Sequence, residues 1–173
     1  MHLEFLTPDS PWLEAARQLY LEAFPAQERR DRENMLPGNA YFRPAVFCRG
    51  DEFGGILFYW ESRDFIFLEH FAVEPWLRNA GLGAKALGLL KELGKPIILE
   101  IELPEDDLTR RRKGFYERNG FRENPWHHIQ PKYRREDAGL QLMLLSCPEA
   151  IDRETWQRFE AFLEENVAER PTL

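Results

Sequence analysis

The chain has 173 residues, enough for one domain with one hydrophobic core. Its 43% apolar and 31% charged residues exclude a disordered chain, and no apolar run approaches the roughly 20 residues of a membrane-spanning helix. A net charge of −7 weighs against nucleic acid as the main ligand, because phosphate neutralisation needs a basic surface.

Leu3-Glu4-Phe5-Leu6 reads as a first strand, broken by Thr7-Pro8-Asp9-Ser10. Ser10 can cap the next helix and Pro11 suits its first turn. Trp12, Ala15, Ala16, Leu19, Tyr20, Ala23 and Phe24 then recur at helical spacing until Pro25. Residues 26–36 are highly charged and predict a short exposed second helix, followed by a Pro37-Gly38-Asn39 turn. Three apolar strands come next, at 44–48, 54–60 and 65–73, separated by gaps short enough for antiparallel hairpins. A helix over 81–93 presents Leu82, Ala86, Leu89, Leu90 and Leu93 on one face, and Gly94 stops it. The run 97–101 is apolar enough for a central strand. Strand, helix, strand at this spacing predicts a βαβ unit with two parallel strands. A helix over 108–118 ends at Asn119-Gly120, residues 121–130 hold a further strand, and 140–146 form another. Asp152 caps a last helix bearing Trp156, Phe159, Leu163 and Val167, with Ile151 as a staple. The sum is a single mixed α/β domain over 1–173, a largely antiparallel sheet with a central parallel pair and flanking helices.

Met1-His2-Leu3-Glu4-Phe5 lacks the basic-then-apolar pattern of a secretory signal. Cys48 and Cys147 lie in apolar runs without CxxC spacing and are expected as reduced, buried thiols of a cytoplasmic protein. His127-His128 is too sparse for a metal site, so no metal is expected.

The chemistry is concentrated in Arg78-Asn79-Ala80-Gly81-Leu82-Gly83-Ala84. A helix N-terminus offers unpaired N–H groups and a positive dipole end, glycines clear the approach, and Arg78 adds a planar fork of donors. Together these form a seat for a phosphate or pyrophosphate. A P-loop is excluded, because Gly83 is followed by Ala84-Lys85-Ala86 rather than Lys-Ser/Thr. A dinucleotide fold is disfavoured by the seven residues, including a proline, between the strand and Gly81.

Arg78-Asn79-Ala80-Gly81-Leu82-Gly83 resembles the Arg/Gln-x-x-Gly-x-Gly/Ala motif of the GNAT superfamily of acyl-CoA-dependent N-acetyltransferases. Phe115-Tyr116-Glu117-Arg118-Asn119-Gly120-Phe121 resembles that superfamily's second signature, and Glu69-His70-Phe71-Ala72-Val73-Glu74-Pro75 its strand before the glycine turn. Phe24-Pro25-Ala26-Gln27-Glu28-Arg29 and Ile129-Gln130-Pro131 are similar to a bacterial subgroup of small members. The resemblance implies that the parallel strands splay. It implies too that pantetheine bonds to the backbone around Phe71, Ala72 and Val73, and that pyrophosphate sits on the amides of Asn79, Ala80, Gly81, Leu82, Gly83 and Ala84. Thr109 and Arg112 stand where the family often carries asparagine and alanine, and they are candidate contacts to the far end of the cofactor. The cosubstrate implied is acetyl-CoA.

Amine acetylation needs a neutral amine, a stabilised oxyanion and a protonated leaving thiolate. Tyr116, a phenol of pKa about 10, can donate to that thiolate, and the family commonly gives this tyrosine that role. Glu69, Glu100 and Glu102 are candidate bases, being carboxylates in otherwise apolar strands; salt bridges to arginines are the alternative. Glu100 and Glu102 share a face by the two-residue period, whereas Glu69 and His70 point to opposite faces. The Arg110, Arg111, Arg112, Lys113 run is a solvated helix face or a contact to phosphate. The acceptor is expected to be a small-molecule amine or a peptide, met by the 26–36 and 126–133 segments, with neither nucleic acid nor membrane as partner and a monomer or homodimer as the assembly. A non-catalytic acyl-CoA-binding or sensing module is the rival reading.

Overall fold

A computed structural model describes residues 1–30, 35–36, 38–130 and 139–168. The chain divides into two compact units, residues 1–95 and 96–173.

Unit 1 is built on four strands: β1 (His2–Phe5), β2 (Phe42–Arg49), β3 (Glu52–Glu61) and β4 (Ile66–Val73). They pair in chain order, each antiparallel to the next. Residues 53–60 of β3 are buried without interruption, which is why that run reads as continuously apolar rather than alternating. Gly54 and Gly55 sit inside it because no larger residue fits. A Cβ on Gly55 would lie 2.1 Å from the Ala72 carbonyl oxygen, and one on Gly54 would meet the Phe47 ring at 2.7 Å. The β3–β4 register slips between Phe58 and Tyr59: Phe58 faces His70 and Tyr59 faces Leu68. Glu69 is therefore the extra residue of a β-bulge.

Helix α1 (Leu13–Ala23) buries Ala16, Leu19 and Tyr20 and packs on β3 and β4. It starts later than the Ser10-Pro11 signal suggested. Ser10 instead accepts the Trp12 N–H, and Trp12 occupies the cap. The expected second helix is a single 3₁₀ turn, Ala26–Glu28. Residues 31–34 of that expectation lie outside the described residues. Helix α2 (Leu82–Lys91) buries Leu82, Ala86, Leu87 and Leu90. The face predicted through Leu89 and Leu93 is corrected: Leu93 is exposed because the helix has ended before it, and Gly94 takes φ 72° two residues beyond the Glu92 cap.

Unit 2 holds β5 (Ile97–Ile101), β6 (Arg122–Glu123), β7 (His128–Ile129) and β8 (Gln141–Cys147). β8 pairs antiparallel with β5, β6 and β7. The single strand expected over 121–130 is thus two short ones, interrupted where Asn124 turns its side chain inward to bond Leu144 O, Ser146 Oγ and Ile151 N. Helix α3 (Asp107–Arg118) opens with a reciprocal Asp106–Thr109 cap. Helix α4 (Arg153–Phe162) opens on the Asp152 cap read from sequence, then continues as a π-helical stretch, Leu163–Val167. Phe159, Leu163 and Val167 are buried, and Trp156 stacks on Trp126 at 5.2 Å. Cys48 and Cys147 are free and buried. No helix among the described residues is long and apolar enough to cross a membrane.

Candidate active site

In unit 1, the turn between β4 and α2 is shaped by two left-handed residues. Asn79 has φ 65° and Gly81, the N-cap of α2, has φ 74°. Alternating handedness turns successive N–H groups to one side, the geometry of an anion-binding nest. Gly81 offers no side-chain cap, and the first N–H groups of α2 have no acceptor within the helix. A Cβ at Gly81 would meet nothing within 4 Å. Arg78 Nε donates to Val73 O at 3.2 Å and staples the turn to the end of β4. Asn79, Ala80 and Gly81 are exposed, whereas Leu82 is buried and anchors the helix start. The backbone of Phe71, Ala72 and Val73 runs along β4 with Phe71 and Val73 half-buried.

Glu69 occupies a different environment. Its carboxylate has no solvent exposure and accepts Arg30 Nε at 2.9 and 3.1 Å and Trp60 Nε1 at 2.8 Å. The Arg30 guanidinium lies 4.7 Å from the Trp60 ring and 5.6 Å from the Phe42 ring. Burial by itself would raise the Glu69 pKa, but Arg30 and then His70 hold it well below the usual carboxylate range. His70 Nε2 donates to Glu28 O at 2.7 Å and sits 3.4 Å from Tyr20 OH, which accepts the Arg30 N–H at 2.8 Å. Glu69 and His70 therefore grip the same 28–30 segment, with His70 Nδ1 3.7 Å from Glu69 Oε2. This corrects the opposite-face expectation: the bulge at Glu69 breaks the two-residue alternation.

In unit 2, Tyr116 is buried on α3 beside Phe121 at 5.4 Å and Phe115 at 5.2 Å. Desolvation pushes its pKa up to about 12, partly opposed by Arg112. The other two glutamates take different partners. Glu102 lies just past the end of β5 and pairs with Arg112 on the exposed side of α3. Glu100 Oε1 meets His128 Nε2 at 2.5 Å, and His128 Nδ1 meets Glu160 Oε1 at 2.7 Å. Burial lowers the His128 pKa, but hydrogen bonds to Glu100 and Glu160 outweigh it and raise it to about 9. Thr109 spends its hydroxyl on Asp106 Oδ1 at 2.8 Å. The basic run is largely paired along its own helix and beyond it: Arg110 with Asp107, Arg112 with Glu102, and Lys113 with Glu117 and Glu123.

Arg30, Trp60 and Glu160 carry these sites and were not singled out from sequence, and His128 was weighed there only as a metal ligand. Their partners are 9 to 39 residues away, a separation that no local spacing reports. A further group, His2, Glu4 and Cys48, places its ligand atoms within 4.8 Å of one another. It forms across the β1–β2 ladder, where His2 faces Cys48.

The mostly antiparallel, mixed α/β fold with a glycine turn before a helix is shared by known structures. It aligns with the structure of a GNAT-family protein of Bacteroides thetaiotaomicron, provisionally named an acetyltransferase, at a TM-score of 0.90 and 28% identity, covering 96% of this chain and 98% of that one. An aminoglycoside 6′-N-acetyltransferase solved with coenzyme A shares the fold at a TM-score of 0.62 and 16% identity, covering 84% and 96%. In sequence, YjbC of Bacillus subtilis (strain 168), also provisionally named an acetyltransferase, is 34% identical over 116 residues, 66% of this chain and 58% of that protein's length. The match thus spans less than two thirds of that relative. The acetyltransferase (GNAT) family model matches residues 10–121, and the chain belongs to that family.

Proposed function

We propose that this protein transfers the acetyl group of acetyl-CoA to a primary amine by direct attack on the thioester. The observation that carries this reading is the nest at 78–84, with Asn79 and Gly81 left-handed and α2 uncapped behind them. That nest suits a pyrophosphate. The β4 backbone at Phe71, Ala72 and Val73 would hold the pantetheine arm as an added strand, and one of its amides would stabilise the oxyanion.

Tyr116 and Glu100 are assigned the proton chemistry. At a pKa pushed up to about 12 the phenol stays a donor at neutral pH. It is a weaker acid than a thiol, ordinarily near 8.5, so its service to the departing sulfur is a hydrogen bond rather than early proton release. Of the three glutamates, Glu69 has both oxygens engaged by Arg30 and Trp60, and Glu102 sits on a half-exposed pair with Arg112. Glu100 commits Oε1 to His128, and Oε2 is assigned to the ammonium proton. One ammonium proton passes to Glu100, the freed amine nitrogen bonds the carbonyl carbon, the C–S bond breaks with Tyr116 hydrogen-bonded to the departing sulfur, and the second N–H proton, lost as the amide forms, ends on that thiolate.

The test is release of free thiol from acetyl-CoA across a panel of amines. Acceptor-dependent release supports the enzyme. Tight acetyl-CoA binding with no release on any amine, and no slow hydrolysis, supports instead a non-catalytic acyl-CoA module on the same fold.

A further inference from the structure

Unit 2 encloses one imidazole between two carboxylates. The His128 side chain on β7 has no solvent exposure; Glu100 of β5 has 8% and Glu160 of α4 has 36%. Among the described residues, the groups facing the ring are Glu100 from β5, Glu160 and the Phe159 ring (5.9 Å) from α4, and apolar Leu142 opposite it on β8. Carboxylates at both nitrogens are satisfied together only when both nitrogens carry hydrogen, that is, by an imidazolium. A neutral ring would aim a lone pair at one of the two anions.

We infer that His128 and Glu160 are positioning residues for Glu100: the imidazolium pins one oxygen of Glu100 and leaves the other for the substrate, while Glu160 holds the imidazole from its far side. The inference rests on the reading of Glu100 as the base. The His128 hydrogen bond to Oε1 sets which oxygen of Glu100 is left for the substrate. Glu160, partly open to water, balances the ring from the other side. Two carboxylates and one imidazolium leave one net negative charge to attract an ammonium group. The proton that leaves the amine forms an O–H bond on the second oxygen of Glu100 and passes to water as the product departs. Both His128 protons stay where they are.

A purely structural clasp joining β5, β7 and α4 is the competing explanation, and a pH profile separates the two. The measurement is kcat/KM against pH for thiol release from acetyl-CoA by the full chain. The acceptor is whichever of spermidine, kanamycin and an alanine-initiated peptide reacts fastest. Native protein is compared with His128→Gln, Glu160→Gln and Glu160→Asp, each checked for native circular dichroism. The expected result for His128→Gln is loss of the alkaline limb, since the imidazolium whose deprotonation sets that limb is gone. Glu160→Gln moves the alkaline limb down by about one unit, and Glu160→Asp restores it. Folded variants that lose rate equally at every pH, or lose none, overturn the inference in favour of the clasp. Should His128→Gln not fold, Glu160→Gln decides the matter alone, because its amide oxygen still accepts the Nδ1–H. Native protein that releases no thiol removes the acetyltransferase reading and this inference with it. Active native protein with unmoved limbs removes only the inference.

Discussion

Replacing Arg30 by methionine keeps most of the side chain's bulk between the Trp60 and Phe42 rings and deletes the charge. What remains is a Glu69 carboxylate with no solvent exposure that has lost the guanidinium and keeps Trp60 Nε1 and His70 beside it. Both partners are almost fully buried, at 8% and 0%, so little screening discount applies. Breaking a buried pair by removing one member costs about 3–5 kcal/mol, and losing the guanidinium over two rings adds about 1 kcal/mol more. For a chain of this size each kcal/mol moves the melting temperature by about 2–4 °C, so a fall of roughly 8–24 °C at pH 7 is expected. The sign against pH follows from Glu69, whose folded pKa is depressed. Its contribution is present above the ordinary value of 4.5 and is lost only as pH falls through the lower folded value. The assay is thermal unfolding by circular dichroism of native protein, Arg30→Met, Glu69→Gln and the double variant. Much of the loss should return in the double variant, because no uncompensated charge is then buried. A drop in Arg30→Met of under 1 kcal/mol, or a double variant as damaged as the sum of the singles, would refute the buried-pair argument.

Gly81→Asp should abolish coenzyme A binding in calorimetry, by placing a like charge over the nest and straining a residue at φ 74°; undiminished affinity would remove the proposed seat. Tyr116→Phe should slow turnover much more than it weakens coenzyme A binding, and equal loss of both would make Tyr116 a packing residue. His128 has a folded pKa raised from 6.5 to about 9, so its stabilisation is fully present below pH 6.5 and is lost as pH rises through about 9. Urea unfolding between pH 7 and 10 should show a decline worth up to about 3 kcal/mol that is absent in His128→Phe. Asp106→Ala removes the carboxylate that accepts the Thr109 N–H and should cost about 1 kcal/mol of stability without changing the unfolding slope.

Most strands and helices were legible because their signals are local: the continuous apolar run of β3, the Asp152 cap, Gly94 after α2. The nest was legible for the same reason, since a run of seven residues carries its own glycines and its own helix start. Where local signals misled, a neighbour distant in sequence had intervened. Residues 26–28 read as a helix by composition, yet a 3₁₀ turn forms, with Glu28 O bonded to His70 and Arg30 drawn into Glu69. The 121–130 run read as one strand, yet Asn124 is diverted into the interior by Ser146 and Ile151.

The amino-acid order by itself determined the family, the layout of elements, the glycine turn and the identity of Tyr116 and the three glutamates as residues of interest. Periodicity and capping act over a few residues and can be read along the chain. Only the tertiary structure decided which partners those glutamates take. The bulge at position 69 turns Glu69 and His70 onto the same segment, where alternation would have parted them. Glu100 and Glu102, two residues apart, were separated into an imidazole clasp and a half-exposed arginine pair. A carboxylate's protonation and reach are set by the charges packed against it, and those charges arrive from β7, α3, α4 and the segment after α1, elements that no local pattern ties to it.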